Sequence, residues 1–331
     1  MRNYLLQSLI VIILAPFLNI NAQKLDKESL GVYKFIQLPI NPVLSEFHTY
    51  KVEGIGQYSD AYRRDAIVAA AYLAGYEKIN SPNAELKVKI EEYPILFDDV
   101  KPLTKTEKYK ANGVEKTRTL YYYFQAYKFK YVMTIYNKSD EILFEYNLTG
   151  EERIYGPDRT TDKSAFEHFE TAKNRSLQEV IHVQVAKLCD MVNNQVGFPV
   201  KSFPVQTATV KAKKYDYEDY FKAFGQFKKG VDVIIKDEDN ITEATAFFDE
   251  ANVIFDNLLN EADINNKKAR INKNVAMVCY LNKALGYLLM KDYNNAIECF
   301  EKGRELDKKY ASMDSGWELA QSRLERLKAN N

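Results

Sequence analysis

Between Glu85 and Glu91 charged and apolar side chains alternate without error, with Leu86, Val88 and Ile90 on one side and Lys87 and Lys89 on the other. A period of two predicts a strand with one buried and one wet face. Residues 118–136, dense in Tyr and with Phe, Thr, Val and Ile among them, are the most β-prone stretch. After the polar turn Asn137–Asp140, residues 141–155 alternate again, with Ile142, Phe144, Tyr146 and Leu148 on one face. Two long strands around a short polar turn predict an antiparallel hairpin. The polar stretch Pro102 to Lys116 carries the turn dipeptide Asn112-Gly113 and reads as a loop or hairpin tip. Shorter β-prone runs occupy Val32–Leu38 and Phe47–Glu53. An extended piece, Val200 to Val210, is expected to return to the same sheet.

Helical periodicity marks Ser59 to Ala74, with Ser59 or Asp60 as N-cap and Gly75 as the left-handed stop. A longer helix is predicted from Asp162 to Val196. Its stripe is Phe166, Phe169, Leu177, Val180, Ile181, Leu188, Met191 and Val192, and Gly197 ends it. These patterns predict an α+β domain over 23–212, an antiparallel sheet carrying two packed helices. From Tyr215 onward the β signals stop. Helical patterns cover 215–236, 242–260, 272–290, 293–306 and 313–328, which predicts an all-α domain of helical hairpins over 213–331.

The first 22 residues, MRNYLLQSLIVIILAPFLNINA, place Arg2 before an apolar core that ends at a small residue, Ala22. This pattern predicts a signal peptide cleaved after Ala22 and a periplasmic or secreted mature protein. The apolar core is shorter than the ~20 residues of a membrane span. Position 23 is Gln rather than Cys, so the lipid-modified signal is not supported. Export draws attention to the three cysteines, Cys189, Cys279 and Cys299. Each lies in an apolar helical pattern, either as a buried thiol or, for the last two, as a disulfide pair. The sequons at Asn137, Asn147, Asn174 and Asn240 read as chance in a Lys-, Asn-, Ile- and Tyr-rich chain of bacterial character.

One helical pair has a more specific pattern. Residues 277–310 read MVCYLNKALGYLLMKDYNNAIECFEKGRELDKKY. Tyr280, Ala284 and Tyr287, then Ala296, Phe300 and Gly303, alternate large aromatic with small side chains at helix-contact spacing. This stretch resembles a tetratricopeptide repeat of ~34 residues. Lys283 and Lys308 depart from the usual leucine and proline. Glu243-Ala244 with Phe248 and Ala251 make a weaker half-match, and residues 313–328, with Trp317, stand where a capping helix would. The resemblance implies a protein-binding face on the first helix of the pair. Its positions here are Val278, Leu281, Leu285, Leu288 and Leu289. That helix is apolar nearly all round, so either the rest of the chain or a protein partner covers it. Asn282 matches one position of the family's clamp for acidic peptide tails, but the clamp's lysines are missing.

Lys and Arg total 46, and so do Asp and Glu, a balance that argues against a nucleic-acid binder. With 46% hydrophobic and 28% charged residues the chain has globular rather than disordered composition. No phosphate-binding glycine loop, nucleophile elbow or zinc-binding helix motif occurs. His168 and His182 share one predicted helix about 21 Å apart, too far to share a metal. No catalytic residue, metal ligand or cofactor is therefore nominated, and Asp98-Asp99 and Glu151-Glu152 read as solvated carboxylates. The tyrosine-rich strands read as half-buried sheet rather than a stacking platform. The expectation is a non-enzymatic binding or assembly protein of the bacterial cell envelope. It would have a protein partner, no membrane span after cleavage, and scope for peripheral association with membrane complexes. The arrangement of the first domain, a helix ending at Gly75-Tyr76 followed by the strand Leu86–Ile90 and a hairpin, is loosely similar to small periplasmic α+β lipoprotein-type domains. The alternative is an exported hydrolase acting on cell-wall or polysaccharide material.

Overall fold

The computed structural model describes residues 25–56, 61–211, 215–307 and 311–331. The proposed signal segment and the caps Ser59 and Asp60 lie outside them. Two compact units result. Over the described residues, one spans 38–199 and the other joins 25–37 with 200–329.

The first unit is built on β2 (Thr49–Ile55), α1 (Ala61–Ala70), β3 (Glu77–Lys78) and β4 (Leu86–Glu92). It continues with β5 (Leu96–Phe97), β6 (Lys101–Ala111), β7 (Val114–Tyr136), β8 (Ile142–Tyr155) and α2 (Asp162–Val196). β2 pairs in parallel with both β3 and β4, so the sheet is mixed rather than antiparallel as expected. The cause is α1: a helical crossover returns the chain in its original direction, which a tight hairpin cannot do. β7 is the long central strand. Along one edge it pairs in turn with β6, β5 and β4, and along the other with β8, all antiparallel.

The predicted alternation in β4 holds: Leu86, Val88 and Ile90 face a core completed by Tyr131, Met133 and Ile135 of β7 and by Phe169, Ile181, Leu188 and Val192 of α2. The last inward position of β4 is a charged one, Glu92. In β8 the register shifts opposite Ile135 and Tyr136, which turns Ile142 out to 60% exposure although Leu148 is buried. Phe166 and Met191, expected in the stripe of α2, are exposed. α2 starts and stops at the predicted residues. The Thr161 side chain accepts from the Ser164 amide, and Gly197 is extended at φ −97° rather than left-handed. Space is what requires glycine there, because a Cβ would lie 2.5 Å from Asn193 Oδ1.

α1 stops at Ala70, short of the predicted Ala74. Three consecutive amides leave the helical ladder for side chains elsewhere in the unit. Tyr72 N–H donates to Cys189 Sγ (3.4 Å), Leu73 N–H to the Tyr50 hydroxyl (3.0 Å) and Ala74 N–H to Asn193 Oδ1 (2.7 Å). Lys78 caps the carbonyls of Val68 and Ala71. Gly75, at φ +89°, sits in the turn that follows.

The second unit starts with β1 (Leu25–Ile36) and β9 (Val200–Val210), joined antiparallel as a separate two-stranded sheet. The helices α3 (Glu218–Lys236), α4 (Ile241–Asn260), α5 (Lys273–Leu289), α6 (Tyr293–Leu306) and α7 (Ala311–Ala329) follow. β9 therefore does not return to the first sheet, and the boundary expected near residue 212 falls at 37/38 and 199/200. Tyr33 and Phe35 on β1, with Phe203, Val205 and Val210 on β9, bury their side chains in one core with Phe227, Phe248, Leu281 and Phe300. β1 packs on α3 and β9 on α5. The apolar faces of both strands thus find their partners among the helices. The helices pack α3 on α4, α5 on α6 and α6 on α7, with α4 against α5.

Candidate functional site

Val278, Leu281, Leu285, Leu288 and Leu289, the face expected to be covered by either the rest of the chain or a partner, are all at most 2% exposed. α5 is surrounded by α3, α4, α6, α7 and β9. A buried polar chain ties it to β9. Thr207 Oγ1 donates to Asn282 Oδ1, and Asn282 Nδ2 donates to the Tyr220 hydroxyl (3.4 Å), which donates to the Ala208 carbonyl (3.3 Å). Burial pushes the Tyr220 phenol well above its ordinary pKa. The protein's own strand β9 thus packs on α5, and Asn282 serves this internal contact. All three cysteines are unpaired and buried, so Cys279 and Cys299 are not bridged.

Two carboxylates of the sheet lie next to buried tyrosines, an arrangement adjacency in sequence did not show. Glu92, its side chain fully buried, accepts from Arg63 at both oxygens (Nε to Oε2 2.8 Å) and from the Tyr131 hydroxyl at Oε1 (3.0 Å). Desolvation, then the charge of Glu92, holds the Tyr131 phenol far above its usual range. Glu152 accepts from the Tyr127 hydroxyl and from Gln184 Nε2, each at 2.9 Å. Gln184 Oε1 is buried with no partner among the described residues. In both groups every carboxylate oxygen already holds a donor: Arg63 neutralises Glu92, and two uncharged donors hold Glu152, so both arrangements serve the fold. Among the described residues no group of three or more His, Cys, Asp or Glu is placed to hold a metal ion, and no helix is long and apolar enough to cross a membrane.

The part of the fold that packing leaves unexplained is the distal half of β6 and β7. The strands pair without interruption from Lys101↔Phe124 to Ala111↔Val114. Asn112 (φ +52°) and Gly113 (φ +78°) form a two-residue turn with both central residues left-handed, the geometry that follows the strand twist. Asn and Gly are the residues that adopt it at least cost. Beyond Leu120 no residue of this ribbon is buried on either face. Leu103, Tyr109 and Val114 are exposed together with Lys101, Lys105 and Lys116. Exposed ion pairs brace it: Lys105 with Asp158, Lys108 with Glu115, and Arg118 with Glu107 (2.7 Å). The Arg118 guanidinium also covers the Tyr109 ring at 5.1 Å. The Asn-Gly turn was legible in the sequence. The length of the strands was not, because a ribbon wet on both sides has no apolar alternation to announce it.

Compared with known proteins, the chain matches no protein-family model and no curated protein.

Proposed function

We propose that the protein is an exported, non-enzymatic binding or assembly component of the bacterial envelope, with the β6–β7 ribbon as its contact arm. The observation that carries this reading is the ribbon itself. Some twenty residues keep strand geometry while burying almost nothing, and an exposed strand edge with open backbone groups is what strand-addition partners use. The signal-like first 22 residues support export. In this reading the helical unit is a tetratricopeptide-like scaffold whose peptide face is taken by β9, so recognition is handed to the first unit. The saturated hydrogen bonding of Glu92 and Glu152 gives the hydrolase alternative no support from those two groups.

The test is cross-linking in intact cells of the whole chain and of a shortened chain lacking Thr106–Tyr109 and Lys116–Thr119. This deletion removes four facing pairs and keeps both the turn and the in–out order. The shortened chain should fold and lose its envelope cross-links. Unchanged cross-links would overturn the reading. The captured protein should begin at Gln23 and be released with the envelope fraction.

A further inference from the structure

Among the described residues β6 is paired on one side only, and its other side has a definite chemical order. Tyr121 gives its N–H to the Arg159 carbonyl (2.7 Å) and receives the Arg159 N–H (2.9 Å), so its backbone groups point away from β6. Strand alternation then aims Leu120, Arg118, Lys116 and Val114 at β6, where they face Lys105, Glu107, Tyr109 and Ala111. A two-residue turn requires the same arrangement, since the residues flanking it form a hydrogen-bonded pair. On β6 the outward backbone groups therefore belong to Pro102, Thr104, Thr106, Lys108 and Lys110. Pro102 has no N–H, and an outward edge position is where a strand tolerates that loss. Among the described residues nothing pairs with the outward groups of the other four.

We propose that this edge pairs antiparallel with β6 of a second copy, about a two-fold axis through Thr106, and that the contact arm proposed above acts first on itself. Side-chain complementarity selects both the occupant and the register. With Thr106 opposite Thr106, Lys105 faces Glu107 of the second copy and Glu107 faces its Lys105. Leu103 faces Tyr109, Thr104 faces Lys108, Pro102 faces Lys110 and Lys101 faces Ala111. None of the four lysines of β6 meets a lysine. Outward residues must face outward residues, so the neighbouring registers put Lys105 opposite Lys105 or Glu107 opposite Glu107, which like-charge repulsion disfavours. The intrachain partners do not block this. Both Arg118 bonds fall on Oε2 of Glu107, leaving Oε1 for a second cation. The Lys105–Asp158 pair is half exposed and adds little by itself. A two-fold contact of this kind is closed and stops at the dimer.

The experiment is sedimentation of the purified whole chain over a range of concentration, with single-cysteine variants read under mild oxidation. Facing residues of a hydrogen-bonded pair lie about 5.5 Å apart at Cα, within disulfide reach. Thr106→Cys should cross-link to itself. Thr104→Cys and Lys108→Cys should each fail alone and cross-link when mixed. Glu107→Lys should weaken the dimer roughly tenfold, because two attractive pairs become repulsive, and Lys105→Glu with Glu107→Lys should restore it. Thr106→Pro, which removes two central donors and leaves the outward side sterically free, should give a monomer with unchanged circular dichroism. A monomer at every concentration, a dimer indifferent to Thr106→Pro, or equal cross-linking at all three cysteine positions would overturn the proposal. A monomer whose in-cell cross-links still depend on the ribbon would overturn self-pairing alone and leave the contact-arm reading standing, with an acidic partner as its occupant.

Discussion

Glu92 on β4 and Tyr131 on β7 stand directly opposite each other in the sheet, and the phenol donates to the carboxylate across the strand pair at 3.0 Å. Arg63 of α1 closes the same carboxylate from the helix side. The inward end of β4 thus replaces a hydrophobic residue with an ion pair that fixes the helix over the sheet. Removing one member of a buried pair strands the other, at a cost of about 3–5 kcal/mol. Arg63→Ala should therefore be the most damaging change, Tyr131→Phe should cost about 1–2 kcal/mol because Arg63 still neutralises Glu92, and Arg63→Ala with Glu92→Leu should recover most of the loss. Urea midpoints of the four proteins, followed by tyrosine fluorescence, give the order. Equal loss for Arg63→Ala and Tyr131→Phe would show that the charge is not what holds the site.

Leu281 and Leu288 separate an internal interface from a partner groove. Both are buried in the second unit's core, among side chains of its strands and helices. Leu281→Glu or Leu288→Glu must bury an unpaired carboxylate or open the unit, and the penalty of several kcal/mol is a large share of a domain's whole stability of about 5–15 kcal/mol. The helical circular dichroism signal should fall in both variants. Full retention of helix with loss of a cross-linked partner would instead make these residues a binding face.

How much of this was legible in the sequence depended on whether one element or two had to be known. α2, β9 and α6 carry their periodicity and terminal signals within themselves, and their limits match the expected ones to the residue. The end of α1 was not readable, because Tyr50, Cys189 and Asn193 are brought to its last amides only by the fold. The path of β9 failed for the same reason. Its alternation states that one face is buried but not against what, and the answer lies with β1, some 175 positions earlier, and with helices downstream. The candidate site was the least visible part. The leucines on α5 left burial and a partner groove both open because the two write the same apolar pattern, whereas the β6–β7 ribbon read as a loop or hairpin tip because it has neither.

The three thiols should be inert in the folded protein. Burial pushes Cys189 and Cys299 up to about 11, and drives Cys279, wholly enclosed, higher still. The nucleophile is the thiolate, so at pH 8 both its population and its access are suppressed. Alkylation monitored by mass should show no modification of the native chain over hours and three additions in denaturant. Rapid labelling of Cys299, the least enclosed of the three, would show that α6 opens locally.

Arg270 ties the connection between α4 and α5 to the first turn of α3. Its guanidinium bonds both oxygens of Asp219 (3.0 and 2.8 Å) and Oε2 of Glu261 (2.8 Å), and its carbonyl accepts from the Tyr217 hydroxyl (2.7 Å). The Arg270 hydrogen bonds hold the Asp219 carboxyl below its ordinary value. A depressed folded pKa stabilises the native state fully above the unfolded value of ~3.9 and ceases to do so as pH falls through the folded value. The clamp should therefore be intact at pH 5–7 and weaken progressively below about pH 4. Asp219 is partly open to solvent, which limits the effect to about 1 kcal/mol or less. Amide exchange in the 261–272 connection, where Asp263 N–H bonds the Ile271 carbonyl at 3.0 Å, is the appropriate readout. Protection there should drop on acidification in the wild type. In Asp219→Asn it should already be low at pH 6 and change little with pH. Matching pH profiles for the two proteins would show that Glu261, not Asp219, anchors Arg270.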